Sequence, residues 1–147
     1  MPVKLREIAG GRGLVFAYSG TLTVKDTDER LRLLLEHPER LPRLYFILVD
    51  FSDCDSLQFT QEEIKLVAEQ DKALRNHLPA GFVVAIIAVR DLQYGLARMW
   101  QTYVEESGVT SAICRTAAEA ETWLREAALR NHGEKLPSFL DELSARR

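Results

Sequence analysis

Seven of the eight residues from Leu44 to Phe51 are apolar or aromatic, Asp50 being the exception. The run is too short to span a membrane, and its β-branched and aromatic content disfavours a surface helix. A short apolar run that ends in polar residues predicts a strand buried on both faces, the usual central strand of a parallel sheet. We place it at 43–51. GFVVAIIAV, 81–89, is apolar at odd and even positions alike and predicts a second such strand. Residues 3–9 alternate, with Val3, Leu5 and Ile8 set against Lys4, Arg6 and Glu7, as an edge strand does. Gly10, Gly11 and Gly13 then surround Arg12, and LVFAYSG follows as another strand. A phosphate-binding loop needs a helix N-terminus after it, so these glycines predict a hairpin turn. SAICR, 111–115, predicts a fifth strand.

Helical patterns fill the intervals. Thr23 and Asp26 open a first helix with the stripe Val24, Leu31, Leu34 and Leu35, ended by Pro38. The segment DCDSLQF reads as a loop. Thr60 and Glu63 then form a capping box for a helix carrying Ile64, Val67, Ala68, Leu74 and Leu78. Asp71 falls on that stripe, and a rim position near water is expected for it. Asp91 caps a third helix to about Glu106, with the stripe Leu92, Leu96, Met99, Trp100 and Tyr103. Gly95 lies in its first turns at a cost of about 1 kcal/mol relative to alanine, which points to close approach of a backbone or a ligand. Thr116 and Glu119 cap a fourth helix with Ala120, Trp123, Leu124, Ala127 and Ala128 inward, ended by Gly133. The order β-β-α-β-α-β-α-β-α predicts an α/β fold: a mixed five-stranded sheet, opening hairpin then parallel strands, with four main helices. Residues 1–132 form the expected domain, and 133–147 a tail bearing Leu136, Phe139, Leu140 and Leu143.

A length of 147 residues suits one domain with its own core. A net charge of −3 argues against a general nucleic-acid binder, which needs a basic excess. The N-terminus lacks a signal-like apolar stretch, and no transmembrane segment is expected. A cytoplasmic protein with reduced Cys54 and Cys114 is the resulting expectation.

YSGTLT (18–23), ILVDFS (47–52), VAIIAVRDLQYGLARMWQTY (84–103) and AEAETWL (118–124) together resemble the STAS fold of anti-sigma-factor antagonists. The resemblance is closer to the SpoIIAA-like family of small bacterial proteins, which are also similar to CRAL-TRIO lipid-transfer domains. It implies a βα superhelix, a non-catalytic regulatory or protein-interaction role, and alternatively the binding of a small apolar or amphipathic, lipid-like ligand. In the sigma-antagonist relatives a serine at the start of the helix after the central strand is phosphorylated. The matching place here is Thr60, where Gln58, Phe59, Thr60 and Gln61 replace the relatives' Asp-Ser-Ser-Gly.

Candidate chemistry is sparse. His37, His77 and His132 fall at predicted helix ends and match no metal motif. Asp50, Asp53 and Asp55 lack the glycine and distal glutamate of a calcium loop. No nucleophile motif or phosphate loop occurs, so an enzyme ranks third, and neither cofactor nor metal is expected. The carboxyl edge of the parallel strands gathers Asp50, Ser52, Thr60, Arg90, Asp91, Arg115 and Thr116 near helix N-termini, a candidate rim for an anion or ligand. Tyr94 and Arg98, four apart, offer a stacked guanidinium to a ligand or partner. Leu96, Met99, Trp100 and Tyr103 would line an apolar cavity if they do not simply fill the core. Four helices on one face would leave the other sheet face bare, so a homodimer is expected. Division of the helices between the faces is the alternative.

Overall fold

A computed structural model describes residues 3–144. Five strands form one sheet in the order β1-β2-β3-β4-β5: Val3–Ile8, Gly13–Thr23, Phe46–Gln58, Val83–Ile87 and Thr110–Cys114. β1 pairs antiparallel with β2 across the glycine turn, and every later pair is parallel. The turn needs its glycines, since Gly10 and Gly11 both hold φ in the left-handed region, at 64° and 87°. The helices are α1 (Val24–Leu35), α2 (Gln61–Leu74), α3 (Asp91–Val104), α4 (Ala117–His132) and a short α5 (Leu140–Ser144).

Alternation along the two apolar strands divides the core. Ile47 and Val49 of β3, with Val84 and Ile86 of β4, face α1, α2 and α3. Phe46 and Leu48, with Val83, Ala85 and Ile87, face α4 and the C-terminal segment. Leu136, Phe139 and Leu143 are buried there, and the Phe46 and Phe139 rings stack at 5.4 Å. The four main helices therefore do not share one face. One chain covers both, which removes the bare face that suggested a dimer.

Three expectations need correction. Leu35 is exposed, and Leu33 packs in its place. The segment 53–58 is strand, not loop: β3 runs on beyond its last pairing with β4, Asp50 with Ile87, and stays paired with β2 to Gln58. Asp50 and Ser52 consequently lie in mid-strand. On α3 the buried residues are Gln93, Ala97, Trp100, Gln101 and Val104, while Leu92 is 62% exposed and Gly95 has open space where a Cβ would stand.

Candidate functional site

The expected rim is a set of contacts within the chain. Asp50 is buried, and its Oδ1 accepts from the Ser52 amide at 2.9 Å and the Ser52 hydroxyl at 2.5 Å. The N-terminus of α3 is occupied by Gln93, whose Oε1 accepts from the amides of Val89 (3.1 Å) and Arg90 (3.2 Å). Its Nε2 donates to the carbonyls of Phe51 and Cys54, on the stretch of β3 that β4 does not reach. One buried amide thus serves the backbone of both segments, the place where an anion would otherwise be held. Arg90 Nη1 donates to the Asp55 carbonyl at 2.7 Å. Arg115 pairs with the exposed Asp91 at 3.1 Å and lies over the Tyr94 ring at 4.2 Å. That ring is therefore taken by Arg115, not by Arg98, which donates to Gln101 Oε1 at 2.5 Å. Thr60 and Thr116 cap α2 and α4, accepting from the amides of Glu63 and Glu119. Among the described residues no group of three His, Cys, Asp or Glu side chains could hold a metal ion.

The other candidate is a cavity. A space of about 120 Å³ lies between the sheet and α1, α2 and α3. Its sheet side is Phe16, Tyr18, Ile47, Val49, Val84 and Ile86, and its helix side includes Ile64, Val67, Leu96, Ala97 and Trp100. Leu22 and Leu57, from the two-stranded β2–β3 extension, and Phe59 close one side. The sequence expectation is met at Leu96 and Trp100, whereas Met99 and Tyr103 are half-buried outside the cavity lining. Tyr103 instead accepts from Gln61 Nε2 at 3.2 Å.

Sequence reasoning missed the polar end of this cavity. Arg30 of α1 and Asp71 of α2 both line it and form an ion pair, with Nη2 to Oδ1 at 2.5 Å and Nη1 to Oδ2 at 3.4 Å. Their side chains are only 15% and 13% exposed. Trp100 of α3 donates its indole N–H to Asp71 Oδ2 at 2.8 Å. One carboxylate thus ties three helices together over the sheet. Burial works against the charge of Arg30, but Asp71 and the Tyr18 phenol together outweigh it and hold the guanidinium firmly protonated. Burial also pushes the Tyr18 phenol well above its ordinary range. Asp71 on an apolar helical stripe was the available signal, and its partner 41 positions away was not visible.

No protein-family model and no curated protein matches the chain. Solved structures do. An uncharacterized protein of the DUF3478 family with a SpoIIAA-like fold, from Shewanella loihica PV-4, is 18% identical and superposes with a TM-score of 0.56 over 83% of this chain and 91% of its own. The anti-sigma factor antagonist SpoIIAA in its unphosphorylated form is 11% identical, with a TM-score of 0.51 over 84% of this chain and 97% of its own. The chain therefore has the SpoIIAA-like fold.

Proposed function

We propose that this chain is a non-catalytic binding domain that takes a small amphipathic ligand between its sheet and α1–α3. The observation that carries this reading is an apolar cavity ending on a buried ion pair. A domain built only to present a surface to a protein partner would gain more from a filled core. A cavity of roughly 150 Å³ lined by Leu, Ile and Phe stays dry and binds benzene, so about 120 Å³ suits one aromatic ring or a short alkyl chain. The occupant is accordingly much smaller than a membrane phospholipid. The regulatory role suggested by likeness to an anti-sigma factor antagonist enters this proposal as its output, with ligand occupancy as the input. Thr60 supports no phosphorylation switch here, because its hydroxyl already caps α2. The cavity is lined by α1, α2, α3 and the sheet of one chain.

Toluene is the test probe. It should raise the melting temperature of the protein and shift the methyl resonances of Ile47 and Ile86. Val67→Phe, which fills the cavity from α2, should lose both effects while remaining folded. If wild-type protein shows neither response to toluene, the reading fails.

A further inference from the structure

Arg30 and Asp71 neutralise each other at the wall of the cavity. Their charges are also the only ones that the hydrogen bonds described above place together with Trp100. The third charged residue of the lining, Arg75, is exposed and donates to the Gly108 carbonyl, so an ionic head that reaches the buried end meets a balanced pair. A carboxylate that joins the pair leaves one negative charge in excess, and an ammonium leaves one positive charge in excess, unless it displaces the partner of like charge. Either outcome leaves a buried charge without its counter-ion, a situation proteins avoid because burying an unpaired charge is costly. An uncharged head displaces nothing. A guanidinium carries five N–H donors, and Asp71 takes two of them, so further donors remain for a hydroxyl or carbonyl oxygen. The Tyr18 phenol lines the same cavity and stays protonated through the physiological range. It offers an O–H of its own.

Resting on the cavity reading above, we propose that the Arg30–Asp71 pair selects ligands with a neutral hydrogen-bond-accepting head, an alcohol, ester or amide, on a short alkyl or aryl body. It rejects free carboxylates and amines. The pair acts as a neutral polar contact, not as an anion or cation site.

Three probes of equal chain length decide this at pH 7.5: 1-hexanol, hexanoate and hexylamine. Binding is followed by the methyl resonances of Ile47 and Ile86 for the body, and by the Trp100 indole N–H resonance for the head. Hexanol should shift both sets and bind at least tenfold more tightly than either ion. A greasy cavity with no head contact would also prefer hexanol, so two further readouts separate the cases. Hexanol that shifts the methyls but leaves the Trp100 indole unmoved overturns the proposal. In Asp71→Asn the site gains a net positive charge, and hexanoate should gain at least tenfold relative to hexanol. In Arg30→Gln, hexylamine should gain instead. A folded variant that keeps the wild-type order also overturns the proposal, as does wild-type protein that binds hexanoate as tightly as hexanol. These outcomes leave the cavity reading standing. Absence of any methyl shift with all three probes removes the cavity reading itself.

Discussion

Replacing Asp71 with asparagine tests the element on which the candidate site rests. The substitution keeps shape and one carbonyl oxygen, so the Trp100 indole retains an acceptor. What it removes is the counter-charge of Arg30, whose side chain is 15% exposed. Breaking a buried ion pair from one side costs about 3–5 kcal/mol, because the remaining charge is left uncompensated in a poor solvent. Partial exposure favours the lower end, and we expect about 3 kcal/mol. For a chain of this length that corresponds to a fall in melting temperature of roughly 6–12 °C. The double variant Arg30→Met/Asp71→Leu behaves differently, since apolar replacement of both partners is commonly neutral or stabilising by about 1–4 kcal/mol. Urea denaturation of wild type, Arg30→Met, Asp71→Leu and the double variant gives the coupling energy directly. A cost below about 1 kcal/mol for Asp71→Asn would mean that water screens the pair as it does a surface salt bridge. Selection of the ligand head would then have no electrostatic basis.

Three further outcomes follow from particular contacts. Gly95→Ala should stabilise by about 1 kcal/mol, because Gly95 lies in α3 with open space at its Cβ position; calorimetry showing destabilisation would restore the idea of a close neighbour there. Deleting residues 134–147 removes Leu136, Phe139 and Leu143, each at most 2% exposed, and with them about 5–9 kcal/mol of burial. That approaches the whole stability of a domain, so loss of near-ultraviolet circular dichroism is expected, and a truncated protein that melts as wild type would refute the packing. Burial raises the pKa of Cys54 and Cys114 above 9.0 and that of Tyr18 above 10.0, so above those values the unfolded chain releases protons that the folded chain keeps. This contribution is fully present below about pH 9 and is lost as pH rises, which denaturant titrations from pH 7 to 11 should record as a falling midpoint, steeper than in Tyr18→Phe.

The strands that faced two layers were readable because apolar residues at odd and even positions have no other economical use in a short segment. Thr23, Thr60 and Thr116 were readable as helix starts because capping is local chemistry within three residues. The continuation of β3 was not readable. Its pairing with β2 shifts register between Ala17 and Ser19 and again between Gly20 and Thr21, where β3 carries an extra residue each time. Each bulge inverts which face the following side chains meet, so Cys54 and Leu57, both buried, stand three apart and break the two-residue period. The face of α3 was misjudged for a different reason. Gln93 and Gln101 are buried because their amides serve the backbone of β3 and of Ser111, and hydropathy scores that as exposure. Arg30 carries no local signature and Asp71 only its odd place on an apolar stripe, since the meaning of the pair arises only when α1 and α2 are side by side.

The two faces of the sheet explain why the site lies where it does. On one, α4 buries Ala120, Ala127 and Ala128 beside Leu124, with Trp123 half-buried next to them, so the helix can settle closely on Val83, Ala85 and Ile87. The C-terminal segment then adds Phe139 over Phe46, and that layer closes. On the other face the helices bring longer side chains, Ile64, Val67 and Trp100, and hold their spacing through an ion pair of fixed length. Three helices tied at one carboxylate cannot each optimise their approach to the sheet independently. A space remains beneath them, and side chains in a packed interior relax into such a space only partly. The ion pair that costs desolvation thus also keeps the helices from collapsing onto Val84 and Ile86. Replacing it with Met and Leu should therefore shrink the cavity and lower hexanol affinity even where stability rises, which separates what the pair does for binding from what it does for folding.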